Sequence, residues 1–494
     1  MLRTAPLSVF LLLGILAAAT SALATAPDVD WVKEYGDSGR NIGYWIEECS
    51  TSGYVVSGSW ANTPADDSNA LLMRVDTDGD TLWTRTWGDT LADAAHCVRE
   101  TSDHGFIIAG YTERVPGDFD ILFIRTDANG DTLWTSLFDF GDYDVVSCVE
   151  EMPGGDFIAC GYSTGAPPTD SLDVLVMRID EDGGGVWKLL SEIPGNDRAI
   201  EFCRTYDGNI VTAGPIATPG DQGDILVVKV DAANGDTLWT RTYEDTLYEI
   251  ASGIREAPDG GLVICGGIIN YAESSGRAYV LKTDDDGNPD WMKKFGGPGD
   301  YHYASSVVVT PDLGYAVGAR RDTTGVGDYD CYYIRLNSSG DTLWTREVDM
   351  PNRQVLTCMT MTSDFGYASC AEGRILPSQD RTIVLQKLSE DDAGVVRVES
   401  MDPPDWLSVD GANPFTSSVR LRFEIPAATH VSLAVYDVEG RQVAVLADAL
   451  RSAGSHSAEW DLKNAGGSLV PSGVYFIRCA AAGLSGVEKV IVLR

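Results

Sequence analysis

The chain of 494 residues carries 36 Lys and Arg against 74 Asp and Glu, a formal net charge of −38. So acidic a chain repels nucleic acid and anionic membrane surfaces, and both are excluded as partners. Ten cysteines in a chain this long do not make a disulfide-dense miniature scaffold, and the length permits a large apolar core.

Residues 1–24 read as a secretory signal peptide: Arg3, an apolar run of roughly a dozen residues, then small residues ending Ala22-Leu23-Ala24. The run is shorter than the ~20 apolar residues a spanning helix needs, and no later segment is long and apolar enough to span. The expected location is secreted, extracellular or at the outer cell surface, with no membrane span in the mature chain.

Residues 28–390 hold an internal repeat. Trp31, Trp83, Trp134, Trp187, Trp239, Trp291 and Trp344 recur at intervals of 51 to 53 residues, the signature of stacked or ring-closed supersecondary units. Residues 91–140 show one copy clearly: four β-rich runs, here lettered A to D, separated by Asp, Gly, Asn and Pro. The A to B and C to D links are tight turns, whereas the B to C and D to A links vary in length and share the opposite end of each sheet. The prediction is an all-β, seven-bladed β-propeller whose variable face carries binding sites. The repeat begins at strand D and ends at strand C (Thr382–Lys387), so the N-terminal strand around Trp31 is expected to complete the last blade and remove both free edges. The tryptophans are read as packing between blades.

Two further columns are structural in expectation. Arg74, Arg125, Arg178, Lys229, Lys282, Arg335 and Lys387 on strand C read as a latch between strands or blades. The DTDGDT-type turns after them resemble the start of a calcium loop, but the twelfth position counted from Asp76 is Trp87 rather than Glu. They read as hairpin turns with glycine at positive φ. Small residues share a column with Cys160, Cys265 and Cys370, so the cysteines are expected mostly as buried thiols, with Cys148–Cys160 and Cys358–Cys370 as pairs close enough to consider for bridging.

The polar residue opening each strand A is the candidate site: Asn41, Asp93, Asp144, Asp197, Glu249, His302 and Gln354, a ring at the mouth of the central channel. It reads either as seven structural latches or as a shared site for a polar ligand. No cofactor is expected beyond a cation such as calcium held by these carboxylates. Tyr143, Tyr248, Tyr301 and Tyr303 in the same loops offer stacking surfaces for a sugar. Catalytic residues are not expected, because no metal-ligand spacing or nucleophile motif accompanies His96, His104 and His302. The leading function is a non-enzymatic recognition module for carbohydrate or a protein partner. A secreted glycan-active hydrolase using top-face carboxylates and a structural surface repeat protein remain open.

Residues 391–406, with Pro403 and Pro404, read as a linker. In 407–494 alternating apolar residues at Val419-Leu421-Phe423, Val431-Leu433-Val435 and Val474-Phe476 predict a small Ig-like β-sandwich. Asn413-Pro-Phe415, Val435-Tyr-Asp-Val-Glu-Gly-Arg441, Trp460-Asp461, Ser472-Gly-Val-Tyr-Phe476 and Lys489-Val-Ile-Val-Leu493 resemble the C-terminal sorting domain of proteins exported by the type IX (Por) system, akin to the Ig-like module of hook-capping proteins. That resemblance implies the secretion machinery as a partner. The repeat half is similar to the Asp-Gly-Gly-Tyr and Gly-Asp-x-x-Trp repeats of secreted bacterial proteins, which implies fold rather than activity.

Overall fold

The computed structural model describes residues 25–391 and 407–493, less segments 37–38, 64–66, 165–170, 192, 218–222, 245–246, 272, 274, 298, 323, 325–326, 352, 375–379, 411–413, 426–428, 438–441, 453, 465–468 and 482–483. The signal peptide and all but the first residue of the expected linker lie outside the described residues. The chain is all-β, built on repeated four-stranded antiparallel sheets in the order A-B-C-D.

The first sheet holds Ile42–Glu48, Tyr54–Trp60, Asn69–Val75 and Thr81–Trp87; the second Asp93–Glu100, Phe106–Val115, Asp118–Thr126 and Thr132–Phe138. The third holds Asp144–Glu151, Phe157–Ser163, Asp173–Ile179 and Gly185–Leu190. In the fourth, strand A is split into Asn196–Asp197 and Glu201–Arg204 beside Ile210–Ala217, Asp224–Val230 and Thr237–Tyr243. The split faces Pro215, which has no N–H to give the ladder. The fifth holds Tyr248–Glu256, Leu262–Asn270, Ser275–Thr283 and Pro289–Phe295; the sixth Tyr301–Val309, Tyr315–Asp322, Asp330–Leu336 and Thr342–Val348. A single parallel bridge, Gly276 to Tyr301, links these two.

The last sheet is made from both ends of the repeat. Arg353–Met361, Tyr367–Arg374 and Arg381–Leu388 are completed by Val29–Tyr35, whose register runs from Val29 opposite Leu388 to Tyr35 opposite Ile383. This sheet then packs on the first. Thr357 Oγ1 donates to Gly43 O at 2.8 Å, and one apolar cluster runs from Cys370, Ile383 and Leu385 through Val56 and Leu72 to Cys160 and Val176.

Burial follows strand position. Strands B and C are enclosed on both faces, as Tyr54–Trp60 and Asn69–Val75 show, and strand D alternates exposed with half-buried side chains at the rim. The strand D tryptophans reach across to the following sheet. Trp31 Nε1 donates to Thr77 O at 2.9 Å and Trp134 Nε1 to Glu181 O at 3.0 Å. The indoles lie on the turn glycines: a Cβ added at Gly130 would stand 2.7 Å from the Trp83 ring, and one at Gly235 2.6 Å from the Trp187 ring. Those glycines also have φ of 78° and 83°, so the turn demands glycine twice over. Edge-to-face contacts with the next sheet complete the joint, as in Trp83–Phe106 at 6.0 Å and Trp134–Phe157 at 6.1 Å.

The basic column latches the A to B turn of its own sheet. Arg125 meets Asp103 at 2.5 Å, Arg178 meets Asp156 at 2.7 Å, Lys229 meets Asp207 at 2.7 Å, Lys282 meets Asp259 at 3.0 Å, Arg335 meets Asp312 at 2.5 Å and Lys387 meets Asp364 at 2.9 Å. In the first sheet Thr51 stands where that Asp would be, and Arg74 donates to Thr51 Oγ1 at 3.4 Å and to the carbonyls of Tyr54 and Val75 instead. The calcium-like loops are Asx turns: Asp76 Oδ1 accepts the amides of Asp78 and Asp80, and Asp127 Oδ1 those of Asn129 and Asp131. All ten cysteines are buried free thiols. Cys148 lies opposite Cys160 and Cys358 opposite Cys370 in the ladders, but neither pair is bridged.

A stitch at the tight-turn end was not legible in the sequence. A glutamate closing strand A accepts a turn amide from the preceding sheet, as Glu151 does from Ser102, Glu256 from Tyr206 and Glu48 from Ser363, each at 2.6 Å. Burial raises the Glu256 carboxyl to about 8, with Asp207 and Asp259 adding to the rise and Lys229 opposing it. A folded-state value above the unfolded one gives stability that is full at low pH and is lost as pH climbs through about 8. Stability is therefore expected to fall by roughly 1 kcal/mol between pH 6.5 and 8 on account of this group. Glu256→Gln should flatten that window in thermal melts; an undiminished slope would assign it to other groups.

Residues 407–493 form two further antiparallel sheets around their own core. Leu407–Asp410, Val419–Ile425 and Gly454–Trp460 make one; Gln442–Arg451, Thr429–Asp437, Gly473–Ala481 and Leu484–Val492 make the other. Val419, Leu421, Phe423 and Ile425 alternate inward as expected. Phe415 of the Asn-Pro-Phe motif donates its amide to Ile491 O at 2.7 Å, and Trp460 packs edge-on to Tyr475 at 5.2 Å.

Candidate functional site

All seven residues of the candidate ring are buried, between 0 and 5% exposed. Five of them stand at a joint between sheets rather than on an open rim. The backbone amides of Asn41, Asp93, Asp197, Glu249 and Gln354 donate to carbonyls of the preceding sheet, at Arg381, Ser68, Leu172, Gly223 and Tyr329. The side chains hold the adjoining loops. Asn41 Oδ1 accepts the Ala61 amide at 3.1 Å, Asp144 Oδ2 the Gly141 amide at 3.0 Å, Asp93 Oδ2 the Asp89 amide at 3.3 Å, and Asp197 Oδ2 the Val174 amide at 3.2 Å. His302 lies edge-on to Tyr332 at 5.4 Å. Burial raises the carboxyls of Asp93 and Asp197 to about 6 and lowers His302 to about 4, so the imidazole is neutral at pH 7. Among the described residues, no group of three or more His, Cys, Asp or Glu is placed to hold a metal ion.

Below this level, strand A charges are paired between sheets. Arg99 meets Glu47 at 2.9 Å, Arg204 meets Glu150 at 3.4 Å and Arg255 meets Glu201 at 2.6 Å.

What the variable end does present is aromatic and cationic. An arc of rings in contact crosses the first three sheets: Tyr44 to His96 at 4.9 Å, His96 to Tyr111 at 5.3 Å, Tyr111 to Phe119 at 5.2 Å, Phe119 to Tyr143 at 4.8 Å and Tyr143 stacked on Tyr162 at 6.0 Å. Exposed Arg198 closes it, 5.1 Å from the Tyr162 centroid. There the split strand A leaves a crevice of about 340 Å³ lined by Leu172, Asn196, Arg198, Pro215, Ala217 and Tyr248. A second arc gathers Tyr248 with Tyr271 at 5.5 Å, and Tyr301 with Tyr329 at 5.2 Å, with Arg320 4.4 Å from the Tyr303 centroid. The four tyrosines named from the sequence thus all belong to these arcs, but only Tyr143 lies in a loop; Tyr248, Tyr301 and Tyr303 stand at the start of strand A. Tyr44, Tyr111, Phe119 and Tyr162 lie within strands, where their spacing is indistinguishable from that of core aromatics.

No helix among the described residues is long and apolar enough to cross a membrane. No curated protein matches the chain. Among solved structures the chain is similar to PorZ, a bacterial surface component of the type-IX secretion system of Porphyromonas gingivalis, at 11% identity and TM-score 0.44, covering 93% of this chain and 60% of that one. It is also similar to the Pan2 WD40 domain of Neurospora crassa (10% identity, TM-score 0.45, 70% of this chain and 89% of that one) and to YCF48 bound to D1 peptide (13% identity, TM-score 0.45, 76% and 100%). The chain spans about 60% of the length of PorZ. Residues 413–493 match the family described as the secretion system C-terminal sorting domain. The chain therefore ends in a type IX sorting domain and is a secreted protein directed to the cell surface.

Proposed function

We propose that residues 28–390 are a seven-bladed β-propeller that recognises carbohydrate at the cell surface without chemical turnover, and that an Ig-like domain at 407–494 engages the export machinery. The observation that carries this reading is the concentration of aromatic rings and guanidiniums at the variable ends of the sheets, beside a crevice, in a chain otherwise dominated by acid. Flat rings supply the faces on which sugars stack, and donors beside them supply hydrogen bonds. The contact surface moves accordingly from the buried ring residues to Tyr143, Tyr162, Arg198 and Tyr248. No cofactor enters this reading; Asp93, Asp144 and Asp197 each accept a loop amide.

A second reading, a purely structural surface repeat protein, is supported by the burial of all seven ring residues. A glycan array and hydrolysis assays on the mature chain separate the readings. Recognition predicts binding without product, weakened by Tyr143→Ala or Arg198→Ala with an unchanged melting curve. Turnover abolished by Asp93→Asn, Asp144→Asn or Asp197→Asn would select a glycan hydrolase instead, and absence of any glycan binding would favour the structural reading.

A further inference from the structure

Two guanidiniums in the second arc form no ion pair among the described residues; Glu372 acts on Arg353 only from beyond 4.0 Å. Arg320, near the end of strand B in the sixth sheet, sits 4.4 Å from the Tyr303 centroid and 5.5 Å from that of Tyr329. Arg353, which opens strand A of the last sheet, sits 4.3 Å from the same Tyr329 ring. Among the described residues no Asp or Glu oxygen lies within 4.0 Å of either, although the neighbouring Arg321 pairs with Glu347 at 2.6 Å and Arg374 with Glu372 at 3.4 Å. Glu372 is already shared with Arg381 at 3.3 Å. Both Nε atoms are buried without an acceptor.

The electrostatics make this pairing costly. Arg353 is held below the usual arginine value by burial and by the like charge of Arg374, with Arg320 adding to it. In a chain of net charge −38, carboxylates are abundant everywhere else to neutralise such groups. Tyrosine faces hold the two forks in place, which fixes their direction at small entropic cost to a ligand. Tyr303 is itself fixed, its hydroxyl 2.6 Å from Ser252 Oγ and its ring lying where a Cβ on Gly267 would come within 2.4 Å. Tyr271, 66% exposed, offers an open ring on the fifth sheet, packed on Tyr248 at 5.5 Å.

We infer that Arg320 and Arg353 form an anion subsite on the variable face that takes the carboxylate of an acidic sugar, a uronic-acid unit of a glycan, with the tyrosines of the second arc as its stacking floor. Forked guanidiniums match a carboxylate geometrically, and the charge-assisted bonds formed are stronger than those to neutral hydroxyls. This rests on the recognition reading above and names its ligand class.

The test is calorimetric titration of the mature chain with oligogalacturonate, its methyl ester and a neutral galacto-oligosaccharide. The expected result is binding of the free acid, at least about tenfold weaker for the ester and for Arg320→Gln or Arg353→Gln, with melting curves of both variants close to that of the wild type. Arg353→Lys should recover part of the affinity. Equal binding of acid and ester, or Gln variants that bind as tightly as the wild type, would overturn the anion subsite and leave the recognition reading standing. Binding of neutral sugars alone would do the same. A peptide carboxylate bound in place of oligogalacturonate would overturn the sugar assignment, and no binding of any glycan would remove both readings.

Discussion

Deleting residues 25–36 is expected to lower the melting temperature by on the order of 10 °C. Val29–Tyr35 supplies the outer strand of the last sheet and, with it, a set of contacts to the first sheet. Trp31 bonds Thr77, Lys33 meets Asp80 at 2.7 Å and the Tyr35 hydroxyl donates to Gly79 O. Val29 and Val32 pack on the cluster containing Val384 and Leu388, and Trp31 on that containing Tyr54 and Val75. Losing three such apolar side chains costs roughly 5 kcal/mol. It also bares the edge of Arg381–Leu388, a template for pairing with another chain. Differential scanning calorimetry with light scattering reads both effects; a melting curve unchanged by the deletion would reject closure by this strand.

The second large effect is expected at Asp391. In other joints the strand D indole meets the C to D turn of the following sheet, but the last sheet has no such turn, because its strand D comes from the N-terminal end. The chain leaving strand C fills the gap. Asp391 Oδ1 accepts Trp344 Nε1 at 2.8 Å, and Oδ2 accepts Arg335 Nε at 2.7 Å and the Tyr367 hydroxyl at 2.6 Å. Arg335 is 1% exposed, so removing the carboxylate leaves a buried guanidinium with Asp312 as its remaining ionic partner. Asp391→Ala should cost about 3 kcal/mol and lower the melting temperature by roughly 4 °C. Asp391→Asn should fall between, since an amide oxygen still accepts from Trp344 while its NH2 faces Arg335. If both variants melt with the wild type, the seam is held elsewhere. Composition places residue 391 in the linker, but its carboxylate bonds to Trp344 and Arg335 of the sixth sheet and to Tyr367 of the last make it part of their joint.

The repeat was easy to read because its marks are local and recur. A tryptophan and a base on strand C recur in every copy, and an Asp opens the turn between them in most, so spacing alone exposes them. The candidate site behaved differently. Asn41, Asp93, Asp144 and Asp197 were found as a column, yet whether a polar side chain at a sheet's inner edge faces solvent or a neighbouring amide depends on how closely the next sheet approaches. That approach leaves them buried on backbone donors. The aromatic arcs are illegible in the sequence for the converse reason. Tyr111 and Tyr162 share one position of strand B in consecutive sheets, but Tyr44 stands on strand A and Phe119 on strand C, and only lateral packing brings them into one line.

By itself the sequence determined the local chemistry of this protein: the strand pattern, the Asx turns, the tryptophan period, the alternating core of residues 419–425 and the motifs of the sorting domain. Each depends on residues close in the chain or on a repeat that copies them. Only the tertiary structure decided which polar residues are joints and which cations stand free, that Asp391 replaces a missing turn, and that Arg320 and Arg353, 33 positions apart, share one tyrosine. Those outcomes follow from contacts between sheets, whose energies are set by burial and by partners that no spacing rule connects.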